Sequence, residues 1–131
     1  MTTLADEMKA HALEAQRFSR KHLVLELDFS EASLRALEDN VDTVGFALRG
    51  GCTPENIEML TRIWGAYLGE SVRKATGAEW VLETTGEVRR LGLKGPNSVI
   101  HPHEEVHRRL VGTKEASLLR FFQEGCRQLR S

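Results

Sequence analysis

No apolar run in this 131-residue sequence exceeds a few residues, so no segment is expected to cross a bilayer as a helix. The first residues, MTTLADEMKAHALEAQRF, carry acidic side chains and no apolar core, so no secretory signal is expected there. Cysteine is scarce: Cys52 and Cys126 stand far apart. That excludes a disulfide framework and predicts reduced thiols in a cytoplasmic protein. Neither sign of charge is in excess, with 18 Lys and Arg against 19 Asp and Glu. A dedicated nucleic-acid binder is therefore not expected. No repeat, low-complexity segment, cofactor fingerprint or complete catalytic motif occurs.

What is present suits one domain spanning residues 1–131. The charges are unevenly placed. Residues 1–66 hold 7 basic and 11 acidic side chains, and residues 67–131 hold 11 basic and 8 acidic. Faces of opposite sign would help recognise a partner, although a solvated mixed surface accounts for the same counts.

Periodicity gives the order of elements. Leu4, Met8, Ala12, Ala15 and Phe18 make a thin helical stripe over 3–20. Residues 1–20 therefore read as a peripheral N-terminal helix, with Leu4, Met8 and Phe18 facing a partner. Leu23, Leu25, Leu27 and Phe29 alternate as in a short strand or an extended lead-in. Ser30 caps a second helix over Leu34, Leu37, Val41 and Val44, ending at Gly45. Thr53, Pro54 and Glu55 open the clearest helix, whose face is Ile57, Leu60, Trp64, Leu68 and Val72, and Gly77 stops it.

Gly65 and Gly69 lie inside that helix, at a cost of roughly 1 kcal/mol each against alanine. Such glycines predict that something approaches the helix backbone closely, so the run Trp64, Gly65, Ala66, Tyr67, Leu68, Gly69, Glu70 marks the central packing element. After Gly77 the period changes to two. Strands are expected on either side of Thr85-Gly86, with Glu79 and Glu83 opposite Arg89 or Arg90, and a third strand at 98–100. Pro102 opens a short helix, and Thr113 is placed to cap the last one, whose buried stripe is Leu118, Leu119, Phe122, Cys126 and Leu129. Helices, then a meander, then helices predict an α+β fold on a three-stranded antiparallel sheet.

Several of these residues together carry a resemblance. Leu27-Asp28-Phe29-Ser30 with Ser33-Leu34, then Gly65-Ala66-Tyr67-Leu68-Gly69-Glu70, Trp80 in a strand, and Pro102 before Val106 and Arg109-Leu110 resemble a small bacterial α+β domain family of uncharacterised function, over roughly residues 27–122. The resemblance implies a bacterial domain, in some members an immunity or accessory protein. It supplies no catalytic residues.

Two places offer chemistry. His101, His103 and His107 lie within seven residues, and His103 and His107 share a helix face at i, i+4. They are candidate ligands for zinc or another divalent ion, or they simply edge the core beside Val106 and Leu110. Glu70 is a candidate buried base or anchor, or one half of a helix pair with Arg73 or Lys74. Cys52 precedes a helix N-terminus, without a neighbouring base. These features predict a protein-binding module, its partner another protein or a second copy, with no nucleic acid, membrane or required cofactor. The alternative is a metal-binding protein or metal-dependent enzyme built on the three histidines.

Overall fold

The helix α3, Pro54–Thr76, is the axis of the fold. Thr53 caps it, its hydroxyl accepting from the Asn56 N–H at 3.1 Å, and Gly77 closes it at φ 79°, a left-handed conformation that glycine adopts freely. Every residue from 63 to 72 is buried. A helix buried all round must be covered on all sides, and α1, α4 and α5 pack on α3 while Trp80 of β1 closes on it. The computed structural model describes residues 2–113 and 115–130; Met1, Lys114 and Ser131 of the expected domain lie outside the described residues.

The order is α1 (Leu4–Leu23), α2 (Glu31–Asp39), a 3₁₀ segment (Val41–Ala47), α3, β1 (Glu79–Thr85), β2 (Val88–Lys94), β3 (Val99–Ile100), α4 (Pro102–Leu110) and α5 (Leu118–Arg130). The strands form one antiparallel meander, β1-β2-β3, with Trp80 opposite Leu93 and Leu93 opposite Ile100. The fold is α+β, as the alternation of periods predicts. Among the described residues no helix is long and apolar enough to cross a membrane.

One local alternative is resolved, as an extended lead-in over 23–29, and two expectations are corrected. The alternation over 23–29 is real in burial, since Leu27 is buried while Val24, Glu26 and Asp28 are exposed. Among the described residues no strand pairs with it, however, and the Leu27 carbonyl accepts instead from the Gln16 amide at 2.7 Å. The second helix stops at Asp39, and Val41 and Val44 reach the core from the 3₁₀ segment. The last helix is capped by Ser117, not Thr113: the Ser117 hydroxyl accepts from the Arg120 N–H at 3.1 Å. Glu38 fixes that start, accepting from the Leu118 N–H at 2.8 Å and the Ser117 hydroxyl at 3.1 Å.

The helix α1 is also more deeply built in than its thin stripe suggests. A capping box joins Thr3 and Asp6. Met8 is 2% exposed, and Ala12, Ala15 and Ser19 are buried. Small residues let α1 lie close along α3, and Met8 sits in the core; Leu4 is half-buried against the cluster that holds Met8, and Phe18 against the other.

Candidate functional site

The glycine row of α3 receives two side chains. A Cβ at Gly69 would lie 2.0 Å from Cη2 of Trp80, and a Cβ at Gly65 would lie 2.4 Å from Cδ2 of His103. Each glycine thus makes room for a ring, one from β1 and one from α4. The two rings meet edge to face, centroids 5.8 Å apart, a geometry that adds to area burial. Glu70 completes this node. It is 2% exposed, accepts from the Trp80 indole N–H at 2.9 Å, and pairs with the Arg73 guanidinium at 2.6 and 3.2 Å. A buried carboxylate needs such partners, and these assign Glu70 to anchoring the strand on the helix.

Tyr67 does similar work on another face. Its hydroxyl accepts from the Phe29 N–H at 2.7 Å and lies 2.6 Å from Ser33 Oγ. Ser33 spends its proton on the Ser30 carbonyl, so the Tyr67 hydroxyl donates to Ser33 and is satisfied both ways. The bond holds Phe29 at φ 67°, with its ring stacked on Tyr67 at 4.8 Å. Burial pushes the Tyr67 phenol above its ordinary value, and the Ser33 and Phe29 bonds oppose the shift.

One turn towards the N-terminus of α3 the surroundings change. A groove of about 670 Å³ opens between α1, α3, α4 and β2. Its apolar lining is Met8, Pro54, Ile57, Leu91 and Val111; Thr61, His11, His103 and His107 add polar atoms, and Glu7, Glu58 and Arg62 stand at the exposed rim. The floor continues the glycine row, Ile57, Thr61, Gly65 and Gly69 at steps of four. Thr61 Oγ1, His11 Nδ1 and both ring nitrogens of His103 are buried without a hydrogen-bond partner among the described residues. Burial first, and nearby His11 second, lower the His103 pKa to about 4, against the raising effect of the Arg62 backbone, which lies near the ring but outside hydrogen-bond geometry. His103 is therefore a neutral imidazole at pH 7, with one donor and one acceptor.

The three histidines singled out by spacing do not converge. His101 turns to β1, its Nε2 2.7 Å from Glu83 Oε1; His103 fills the Gly65 notch; His107 lines the outer groove. Among the described residues no group of three or more His, Cys, Asp or Glu side chains is placed to hold a metal ion. The cross-strand pairs also divide: Glu83 stands opposite Arg90 in register, yet Arg90 forks onto Glu104 at 2.7 and 2.8 Å. Both cysteines are free, Cys52 exposed and Cys126 buried.

His11 and Thr61 are the groove residues with unpaired polar atoms that sequence reasoning passes over. Thr61 carried a signal, a hydroxyl residue on the row that otherwise reads Ile57, Gly65, Gly69. His11 carried a weaker one, one turn from Met8 on α1. Comparison of the chain with protein-family models, with characterised proteins and with solved structures finds no match, so the family resemblance rests on its motif residues alone.

Proposed function

We propose that this chain is a binding domain and that the groove between α1, α3 and α4 is its working site. One observation carries this reading: buried polar atoms of Thr61, His11 and His103 lack partners on the lining of a mostly apolar groove. Buried polar atoms are nearly always paired in folded proteins, and a concave apolar site with a few converging polar groups is how small-molecule sites are built. The volume lies within the usual range for such sites. The test is a ligand-detected NMR screen of a fragment library against the parent and Val111→Trp. Val111 is 53% exposed at the groove mouth, so tryptophan there blocks entry without entering the core. Hits on the parent that vanish in Val111→Trp support the reading; hits that survive the block contradict it.

A second reading keeps the protein-binding module, an immunity or accessory partner in a bacterial cytoplasm. Phe46 is 92% exposed and Val24 87%, and Val24 holds a left-handed backbone, φ 55°, that a β-branched residue adopts at a cost of about 1 kcal/mol or more. Exposed apolar side chains of this kind mark association surfaces when they are contiguous. If they do so here, sedimentation shows association with a partner or second copy that Phe46→Ser abolishes. The free thiols support the cytoplasmic placement.

A further inference from the structure

We propose that the groove takes an uncharged, mostly apolar small molecule whose single hydrogen-bonding head, a carboxamide or similar group with both donor and acceptor, lodges against Thr61, His103 and His11. The inference rests on reading the groove as the working site and adds the chemistry of its occupant.

The head group follows from what the floor leaves unpaired. A helical Ser or Thr hydroxyl ordinarily bonds to the carbonyl four residues back. Ser71 does so to Tyr67 at 2.9 Å, and Thr76 to Val72 at 2.8 Å. Thr61, on the same helix, does not, and its Oγ1 has no partner. His103 sits against Gly65, one turn along the same row, and shares two concave surfaces with Thr61. A hydroxyl gives and takes one bond each, and a neutral imidazole offers one N–H and one bare nitrogen. A carboxamide, with two N–H donors and a carbonyl, complements both. A carboxylate can only accept, and a hydrocarbon leaves every one of these atoms unpaired, which costs binding energy.

The body of the ligand follows from the walls, where Met8, Ile57, Leu91 and Val111 offer apolar contact. Its neutrality follows from charge. Glu7 and Glu58 oppose Arg62 at the rim, so an anion would face two carboxylates and one guanidinium. A cation lodged on the floor would meet the same burial penalty that lowers the His103 pKa.

The test uses four compounds of one skeleton: 2-naphthamide, 2-naphthoate, 2-naphthylmethylammonium and 2-methylnaphthalene. Each is titrated at pH 7 into the full chain and into Thr61→Val, following the histidine ring and Met8 and Ile57 methyl resonances by NMR. Thr61→Val keeps the volume and removes the hydroxyl. The expected result is that the carboxamide binds tightest, with groove resonances moving, and that Thr61→Val weakens it about tenfold while leaving methylnaphthalene unchanged. Methylnaphthalene binding as tightly as the carboxamide would overturn the head-group assignment and leave the groove as a binding site. Tightest binding by naphthoate or the ammonium would overturn neutrality, again with the groove intact. If none of the four moves a groove resonance, both the inference and the reading beneath it fall.

Discussion

The two halves of α3 handle buried polar atoms in opposite ways. Towards its C-terminus each buried group named above is matched: Glu70 with Trp80 and Arg73, Tyr67 with Phe29 and Ser33, Ser71 with a carbonyl of its own helix. Towards its N-terminus Thr61, Trp64 Nε1, His103 and, from α1, His11 are buried with atoms unmatched. The same helix, with glycine at the same spacing, is thus a structural node at one end and an unfinished one at the other. Folding selects for the first arrangement; the second costs stability and is explicable when something outside the chain completes it.

Breaking the matched half should cost most. Gly69→Leu drives a side chain into the Trp80 ring, where even a Cβ would stand 2.0 Å away, and should destabilise by about 4 kcal/mol in a denaturant melt. Gly65→Leu should cost as much, because the His103 ring and the His103 Cα, 2.9 Å from the same point, both stand in its way. A Gly69→Leu melt that overlays the parent would remove the close-approach argument.

Glu70→Ala comes next, with a loss of about 3 kcal/mol, since it strands the buried Trp80 N–H and unpairs Arg73. Glu70→Gln keeps an acceptor for the indole and should recover part of that loss. Equal stability of the two variants would mean that the indole bond contributes nothing.

The smallest effects sharpen the contrast. Tyr67→Phe removes a hydroxyl that serves Phe29 and Ser33 and should cost about 2 kcal/mol, because it leaves a part-buried N–H unpaired. Thr61→Val removes a hydroxyl that serves nothing and should stay within about 0.5 kcal/mol of the parent, or exceed it. Chemical unfolding of the two variants side by side reads the difference; equal losses would erase the distinction between the halves.

Much of the matched half was legible in the sequence. Thr53, Pro54 and Gly77 bound α3, and the glycines at 65 and 69 announce close neighbours, because both signals are local and steric. The identities of those neighbours were not legible, since Trp80 and His103 reach α3 through tertiary packing. Of the two readings of 23–29 the extended lead-in is the one found, because alternation reports burial on one side, while a strand also needs a partner edge. The stripe of α1 looked too sparse for a core because Ala12, Ala15 and Ser19 contribute by being small. The groove was hidden for a different reason: unpaired atoms are a property of the folded surroundings, and spacing alone drew attention to His101, which pairs with Glu83, instead of to Thr61 and His11.

The most direct test of the unmatched half is the titration of the His103 ring, followed by NMR from pH 8 to pH 3 with His103→Gln to assign the signal. The account predicts that the ring stays neutral until about pH 4. The folded pKa then lies below the ordinary value of 6.5, so the unfolded chain takes up the proton first. The stability held by the neutral ring is complete above about pH 6.5, and it drains away as pH falls towards 4, by on the order of 3 kcal/mol in all. A His103 ring that titrates near 6.5, with no loss of stability across that window that His103→Gln removes, would mean that it is solvated or paired, and the contrast between the two halves of α3 would not stand.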